Sequence, residues 1–294
     1  MAVALAKKIG GEVISADSMQ VYKGMDIGTA KPTYEEKQGI PHHLIDVCFP
    51  NEPFSAARYK ELADKAIADV MTRGNVPILA GGTGFYINAV LCDAEFGEID
   101  KAEADKLRNQ FAHEASLYGA KFTHDKLREV DPISAELIHQ NNVQRVCGAL
   151  AHFYLTGEMF SVHNKAQKSK PLKWGTGFFL LDHPRGELYK RINARAVKMF
   201  EDGLVDEVKN LLQNGYGEGI KPMQGIGYKE AGMFLGNLCT YDEMVALTQQ
   251  ATRNYAKRQI TWFKNQAPWA KRIQAANKTA IQAAEEIICF TSTW

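Results

Sequence analysis

The stretch MAVALAKKIGGEVISADS, residues 1–18, decides the fold class of this chain. Its apolar positions follow a helical period over residues 2–9, and the pair Gly10-Gly11 is typical of a helix end. Residues 12–15 then predict a short buried strand. A helix that leads straight into a buried strand is half of a β-α-β unit, so the segment predicts a parallel sheet covered by helices.

The rest of the chain continues this α/β pattern in two parts. Residues 76–80 and 178–182 are apolar runs of strand length. Helical periods occupy 102–118, 131–139, 143–156, 185–212, 228–234 and 240–263, and no strand pattern occurs between residues 92 and 173. We therefore expect an α/β core formed by residues 1–93 and 174–294, with a mostly helical insertion at 94–173.

The composition is that of an ordinary globular protein. Of 294 residues 45% are hydrophobic and 23% charged, and the formal net charge of +1 favours no class of partner. No stretch approaches the roughly 18 apolar residues of a transmembrane helix. Five scattered cysteines without metal-ligand spacing predict free thiols in a reducing compartment and no metal site in the protein itself. We expect a cytoplasmic monomer.

Polar residues follow two of the predicted strands at their carboxyl ends, in segments 17–20 and 81–83. Ligands bind outside the carboxyl ends of strands in open α/β sheets, which makes both segments a candidate site. Asp17 has three interpretations: a general base, a magnesium ligand acting through water, or a helix cap. Gly81 and Gly82 either let a ligand approach the backbone or form a tight turn, and Thr83 offers a donor and an acceptor.

The predicted helix at 143–156 has two faces. At about 100° per residue, Arg145, Gly148 and His152 lie opposite an apolar face. That face contains Val143, Val146, Cys147, Leu150, Phe153 and Tyr154. A solvated side chain is the default interpretation of Arg145, and Gly148 costs about 1 kcal/mol relative to alanine within a helix.

The C-terminal part carries charge of one sign. Residues 244–284 contain no acid but seven bases, namely Arg253, Lys257, Arg258, Lys264, Lys271, Arg272 and Lys278. In one continuous helix, Arg253, Lys257 and Lys264 share a face, while Tyr255 and Trp262 lie opposite. Such a stripe is typical of a protein that binds a phosphate backbone, although a solvated helix face is the alternative.

Seven short segments, taken in order, resemble the tRNA dimethylallyltransferase (tRNA isopentenyltransferase) family. They are ISADSMQVY (14–22), GMDIGTAKP (24–32), PHHLID (41–46), GGTGFY (81–86), QRV (144–146), GIGYKE (225–230) and YAKRQITWF (255–263). Each is weak alone, but their order and their span of nearly the whole chain are specific. The resemblance implies a P-loop NTPase-like, ATP-binding type of parallel-sheet core with a helical insertion.

The resemblance also implies an activity: transfer of a dimethylallyl group from dimethylallyl diphosphate to N6 of the adenosine 3′ to the tRNA anticodon. Asp17 matches the family's general base, and Arg145 matches the arginine on the diphosphate side. The positions that match its tRNA contacts are Asp17, Ser18, Met19, Gln20, Thr83, Arg108, Gln144, Arg145, Val146, Cys147 and Gly148. Arg253, Lys257 and Arg258 are candidate contacts to the tRNA backbone. The implied partners are a tRNA anticodon stem-loop with a flipped-out adenine and the diphosphate, with Mg²⁺ as cofactor.

Two departures from the family pattern alter these expectations. Gly148 replaces a second arginine and Ala151 a glutamate, so tRNA binding is expected to be weaker or more sensitive to salt. The family's Gly-x-x-x-x-Gly-Lys-[Ser/Thr] loop should end about three residues before Met1, and no such pattern occurs in these 294 residues. We therefore expect the first strand, the P-loop and its metal ligand to be absent from this chain, with impaired diphosphate binding and turnover.

Three other functions fit parts of the sequence. An adenylate isopentenyltransferase would prenylate free nucleotides, but the basic segment and the insertion argue against it. A non-catalytic tRNA-binding remnant agrees with Gly148 and with the missing loop. A small-molecule kinase of the same fold explains neither residues 17–22 nor the basic segment.

Overall fold

The computed structural model describes residues 1–93, 101–168, 172–217 and 219–291. The chain divides into two compact units, a core unit of Met1–Val90 with Gly175–Trp294 and a helical unit of Leu91–Trp174. The sequence predicted a core of 1–93 and 174–294 and an insertion of 94–173. Residues 94–100 and 169–171 of that predicted insertion lie outside the described residues.

The first half of the core unit follows the predicted order of helix and strand. Its elements are α1 (Ala2–Ile9), β1 (Gly11–Ser15), α2 (Tyr34–Lys37), β2 (His42–His43), α3 (Ala56–Thr72), β3 (Val76–Ala80) and α4 (Gly84–Leu91). Gly10 ends α1 with φ 64°, and its N–H donates to the carbonyl oxygen of Ala6. A left-handed residue at this place favours glycine, so the predicted helix end is confirmed.

The three strands form one parallel sheet in the order β2-β1-β3. The central strand β1 is buried along its whole length, as predicted for a strand covered on both faces. Ser15 pairs with Ala80, so β1 and β3 end side by side. This register places the two polar segments that follow these strands next to each other.

A buried acid joins the sheet to its surroundings. Glu12, 4% exposed, accepts hydrogen bonds from Arg73 Nη2 at 2.8 Å and Asn75 Nδ2 at 2.7 Å, and its Oε2 lies 2.6 Å from His43 Nε2. Burial raises the pKa of Glu12, but the hydrogen bonds from Asn75, Arg73 and His43 outweigh it and hold that pKa at about 2. The charged carboxylate therefore holds β2 and the start of β3 on the central strand.

The second half of the core unit is mostly helical. It comprises β4 (Phe179–Asp182), α10 (Arg185–Glu201), α11 (Leu204–Gln213), α12 (Tyr228–Leu235), α13 (Tyr241–Gln266), β5 (Lys271–Gln274) and α14 (Ala280–Thr291). β4 pairs in parallel with β5 in a separate two-stranded sheet, so the predicted parallel strands lie in two sheets rather than one. The single helix predicted at 185–212 is wrong, because Gly203, with φ 102°, ends it between α10 and α11.

The loop after β1 is attached to the second half of the core unit by a second, partly buried acid. Glu207 accepts hydrogen bonds from the amides of Asp26, Ile27 and Gly28 at 2.7 to 3.3 Å, and from Tyr228 Oη at 2.6 Å. A Cβ on Gly28 would lie 2.4 Å from the Tyr228 ring. Two of the segments that carry the family resemblance, 24–32 and 225–230, therefore meet in a packing contact.

The helical unit contains α5 (Lys101–Tyr118), α6 (Ala120–Val130), α7 (Pro132–Leu137), α8 (Val143–Thr156) and α9 (Phe160–Lys168). Its core is formed by Phe111, Leu127, Val146 and Leu150. The bounds of α8 are those predicted: Asn142 accepts from the Arg145 amide at 3.4 Å, and Gly157 ends the helix with φ 71°. Along the described part of the chain, none of the helices has the length and apolar character that a membrane span requires.

Candidate active site at the strand ends

The segments that follow β1 and β3 are fastened to each other by their backbones. The amide of Ala16 donates to Ala80 O at 2.8 Å, and the amide of Thr83 donates to Ala16 O at 3.0 Å. The Ser18 amide in turn donates to Thr83 Oγ1 at 3.0 Å. Asp17 is therefore held between two neighbouring strand ends, the position where ligands bind in open α/β sheets.

Asp17 uses one carboxylate oxygen to cap a turn. Its Oδ1 accepts from the amides of Met19 at 2.8 Å and Gln20 at 3.3 Å. Residues 18–20 form a turn and no helix begins there, so the interpretation of Asp17 as a helix cap is wrong, and its Oδ1 caps the turn instead. Its Oδ2 has no hydrogen-bond partner among the described residues. The cap and the base are thus compatible, because each can use a different oxygen.

The two glycines after β3 are explained by packing within the protein. A Cβ on Gly81 would lie 2.3 Å from Ala16 O, and one on Gly82 would lie 2.2 Å from Gln259 Nε2. Neither distance can accommodate a methyl group without movement. Of the two interpretations of these glycines, the structure supports the tight turn.

Two of the predicted tRNA-contact residues on this loop make internal contacts. Gln20 Nε2 donates to the carbonyls of Thr29 and Ala30, both at 3.2 Å, and its Oε1 accepts from Ser15 Oγ at 2.9 Å. Met19 packs against Gly225, where an added Cβ would lie 2.7 Å from the Met19 methyl. Ser18 and Asp17 are partly exposed, so they are the residues of this segment that face solvent with unused polar atoms.

One face of α13 completes the site: the sequence placed Tyr255 and Trp262 together on it, but neither Gln259 nor the contact with the loop at 81–84 was predicted. Gln259 Nε2 donates to Gly82 O at 2.9 Å, and the ring of Trp262 lies where a Cβ on Gly84 would be, at 2.3 Å. Burial and then the Asp17 carboxylate raise the pKa of Tyr255, while contacts with Gln259 and Thr83 lower it. The spacing 255, 259, 262 is a helical i, i+4, i+7 pattern, which could have predicted a common face.

Buried tyrosines line the side of the site nearest the sheet. Tyr59 and Tyr86 stack with ring centroids 4.0 Å apart, and Tyr59 Oη donates to Ser15 O at 3.0 Å. Burial raises the pKa of both phenols, and the charge of Asp17 adds to the rise in each. Tyr86 also raises the pKa of Tyr59, and Tyr22 and Cys48 raise that of Tyr86. Both therefore stay neutral at physiological pH and can only donate or accept hydrogen bonds.

The helical unit carries the other predicted site residues on α5 and α8. Gln144 and Arg145 are exposed, and Arg108 forms an ion pair with Asp105 at 2.9 Å. Val146 and Cys147 are buried, 0% and 2% exposed, in the core of this unit. The prediction that the side chains of Val146 and Cys147 contact tRNA is therefore wrong, because these side chains pack inside the helical unit.

The open side of α8 also differs from the prediction at two places. A Cβ on Gly148 would have nothing within 4 Å, so a longer side chain fits there. His152, predicted on the polar face, has a side chain only 12% exposed, whereas Tyr154, predicted on the apolar face, is 57% exposed. Helix α9, which the sequence did not predict, covers His152 and explains the first difference.

The basic segment is only partly available to a ligand. Arg253 donates to Asn193 Oδ1 at 2.7 Å and is partly buried. Lys257, Arg258 and Lys264 are exposed and form no ion pair with any residue that the structure describes. Arg272 pairs with Asp182 and Lys278 with Glu286. The exposed bases of this segment that form no described ion pair are therefore Lys257, Arg258 and Lys264 on α13 and Lys271 on β5.

These features define an α/β enzyme whose candidate site lies at the carboxyl ends of parallel strands and whose chain also contains a separate helical unit. A sequence model of the family described as IPP transferase matches residues 20–266. The chain belongs to the IPP transferase family.

Relatives and solved structures agree with this assignment. The tRNA dimethylallyltransferase of Lachnoclostridium phytofermentans is 45% identical over 266 residues, which is 90% of this chain and 84% of that protein. The full-length tRNA isopentenylpyrophosphate transferase of Bacillus halodurans is similar in structure, with TM-score 0.72, 40% identity and coverage of 99% of this chain and 90% of that one. A eukaryotic dimethylallyltransferase acting on tRNA has TM-score 0.79, 28% identity and coverage of 99% and 74%.

Proposed function

We propose that this chain transfers a dimethylallyl group from dimethylallyl diphosphate to N6 of the adenosine 3′ to the anticodon of tRNA. Membership of the IPP transferase family supports the class of reaction. The observation that carries the proposal is Asp17, whose Oδ1 is fixed by two amides while Oδ2 is unused. A tRNA substrate also makes the cytoplasm the proposed compartment.

Asp17 is proposed as the general base. The lone pair of N6 attacks C1 of the dimethylallyl group, the C1–O bond to the diphosphate breaks, and the diphosphate leaves with the electron pair. The amine must then lose a proton, which Asp17 Oδ2 accepts. Because Oδ1 is occupied by the Met19 and Gln20 amides, Oδ2 has a fixed direction, and no reorganisation is needed when the proton moves.

Thr83 is proposed to contact the target nucleotide, and Arg145 is proposed to contact the diphosphate. Thr83 Oγ1 accepts from the Ser18 amide at 3.0 Å, which fixes the hydroxyl at the strand end, and its hydroxyl is proposed to exchange its contact with Tyr255 for one with the target nucleotide. The exposed Arg145 guanidinium offers paired donors for oxygens of the leaving diphosphate. Both assignments rest on the family motifs. Kinetics with the two substrates can distinguish them, because a change at Thr83 should affect the response to RNA and a change at Arg145 the response to dimethylallyl diphosphate.

The donors at the strand ends can bind a magnesium ion if the diphosphate and water supply the remaining ligands. Mg²⁺ is often bound through one or two carboxylates and several phosphate oxygens and waters. Asp17 offers one partly exposed carboxylate here, and the Thr83 hydroxyl lies beside it. We propose that these residues hold the ion through water, and that bound Mg²⁺ neutralises charge on the diphosphate.

The tRNA is proposed to contact exposed residues of both units. Ser18 and Gln144 offer polar groups, and Lys257 and Arg258 offer unpaired charge for phosphates. The target adenine must leave its stack in the anticodon loop, because N6 has to reach C1 of the donor. Single-stranded loops allow this at low cost.

A prenylation assay with an anticodon stem-loop and labelled dimethylallyl diphosphate tests the proposal. Asp17→Asn keeps the side-chain size but removes the base, so kcat is expected to fall by roughly 10²- to 10⁴-fold while RNA binding is retained. Asp206→Asn on the exposed start of α11 is the matched control and should keep full activity. Equal losses in both variants would refute the assigned role of Asp17.

The same assay separates the other functions. If the chain prenylates AMP efficiently and the unmodified stem-loop does not inhibit this reaction, the protein is an adenylate isopentenyltransferase. Stem-loop binding without turnover, also in a chain extended upstream by a Gly-x-x-x-x-Gly-Lys-Ser loop, would show a tRNA-binding remnant. Turnover restored by that extension would support the proposed reaction and the expected role of the loop.

A further inference from the structure

A second cluster of titratable side chains lies in the helical unit. His152 is near the end of α8, Glu158 is in the connection that follows, and His163 is in the first turns of α9. Glu158 Oε2 lies 3.9 Å from His152 Nε2 and 3.5 Å from His163 Nδ1, and all three ligand atoms lie within 4.8 Å of one another. The two imidazole rings are 4.8 Å apart between centroids.

One nitrogen of this cluster is buried without a partner. His152 Nε2 is inaccessible to solvent and makes no hydrogen bond to the described residues, although Glu158 is close by. Leaving a buried polar atom unsatisfied costs about 1–3 kcal/mol, so such atoms call for a ligand or an ordered water.

The backbone around the cluster holds the three residues in place. The Glu158 amide donates to Thr156 Oγ1 at 3.1 Å, and that hydroxyl donates to His152 O at 2.8 Å. The His163 amide donates to Met159 O at 3.1 Å. The three side chains therefore come from one short, hydrogen-bonded helix–turn–helix segment and face one another.

We propose that His152 Nε2, Glu158 Oε2 and His163 Nδ1 bind a divalent first-row transition metal such as Zn²⁺, with water in the fourth position. Two imidazoles and one carboxylate are a known zinc donor set. Tetrahedral ligands at about 2.0–2.1 Å from zinc lie roughly 3.3 Å apart, so the two histidine–glutamate distances need small changes. The two histidines must approach each other by up to about 1.5 Å, which side-chain rotation can supply.

Asp131 is another acid near the start of α9. Its carboxylate accepts hydrogen bonds from the Ser134 hydroxyl at 2.6 Å and the Ser161 amide at 2.8 Å, so it orients the start of α9 and competes little for the ion.

None of the three residues belongs to the segments that carry the family resemblance or to the residues proposed for prenyl transfer. Arg145, which is proposed to contact the diphosphate, lies on the same helix α8 as His152, about two turns before it. Bound zinc would link the end of α8 to α9, which otherwise depend on a short connection. The expected consequence is a more stable helical unit, with no direct part in the chemistry.

Metal titration of the full chain tests the proposal, after dialysis against a chelator. Zn²⁺ is expected to bind with 1:1 stoichiometry in calorimetry and to raise the thermal unfolding midpoint. Co²⁺ should bind in its place and give the visible spectrum of a tetrahedral site with nitrogen and oxygen ligands. His163→Ala and Glu158→Gln should each weaken binding at least tenfold, whereas the exposed His113→Ala on α5 should leave it unchanged.

Three results would overturn the proposal. The first is the absence of saturable binding, and the second is equal affinity in wild type, His163→Ala and Glu158→Gln. The third is a sulfur-to-cobalt charge-transfer band, which would show binding by a thiol such as the exposed Cys289. Because His163 and Glu158 are more exposed than His152, their variants should fold, and circular dichroism without metal checks this.

Discussion

The contact between Gly82 and Gln259 gives the sharpest test of how the candidate site is built. In Gly82→Ala the new methyl would lie 2.2 Å from Gln259 Nε2 and would displace the hydrogen bond from that nitrogen to Gly82 O, now 2.9 Å. Overpacking costs about 1–3 kcal/mol, and the lost hydrogen bond costs about 1 kcal/mol. Reduced freedom of the unfolded chain returns about 0.4–1 kcal/mol. The net loss of stability is therefore roughly 1–3 kcal/mol.

The clash involves a flexible side chain, so a second substitution should relieve it. Gln259→Ala alone should cost about 1 kcal/mol for the hydrogen bond. The double variant Gly82→Ala/Gln259→Ala should be no less stable than Gln259→Ala, because the new methyl occupies the vacated space. Thermal unfolding measures these differences, at roughly 2–4 °C per kcal/mol for a chain of this size class.

Gly81→Ala is the matched control for this cycle. Its methyl would lie 2.3 Å from Ala16 O, and a backbone atom cannot rotate away. Gln259→Ala should therefore fail to rescue it. A double variant of Gly82 and Gln259 that is as unstable as Gly82→Ala alone would refute the idea that α13 packs on the loop after β3.

Three further outcomes follow from contacts on the two units. Gly148→Arg should gain about 1 kcal/mol of helix stability, because a Cβ at this position has open space around it. The added charge should also strengthen stem-loop binding and make its salt dependence steeper. Unchanged binding in filter assays across a salt series would contradict a role of this position near the RNA. The double variant Lys257→Ala/Arg258→Ala should weaken binding uniformly across RNA sequences and reduce the slope of log affinity against log salt by roughly two, and a sequence-dependent loss would show base contacts instead. The pKa of Glu12 is lowered to about 2 from 4.5, so its contribution is complete above about pH 4.5 and is lost as the pH falls toward 2. The free energy of unfolding, measured with urea, should therefore fall more steeply between pH 4.5 and 2 in the wild type than in Glu12→Gln. Parallel pH profiles of the two proteins would contradict the network around Glu12.

Local patterns predicted most of the elements. The bounds of α1, β3 and α8 agree with the helical and strand patterns of the sequence, because glycine ends and side-chain caps act within a few residues. Local patterns failed at residues 202–203, where Gly203 interrupts an otherwise helical stretch, and at α6 and α9. Helix α6 does have an amphipathic period, with Thr123, His124 and Leu127 on its buried face, that the interpretation of the sequence overlooked, whereas α9 is short and mostly polar.

The candidate site was predicted in part for the same reason. Asp17 and Thr83 follow strand ends, and the rule that ligands bind there needs only the order of strands. The faces of α8 were predicted less well: His152 is buried because α9 covers it, and a single-helix projection contains no information about a neighbouring helix.

The sequence by itself determined that parallel strands alternate with helices and that Asp17 stands where β1 ends. The strand period, the glycine at the end of α1 and the order of the segments all lie within short windows of the chain. Only the tertiary structure decided that Asp17 Oδ1 caps a turn, and that Gln259 reaches Gly82 across 177 positions. The physical reason is that side-chain periodicity fixes which face of a helix is buried, whereas the packing of the whole chain selects what that face touches.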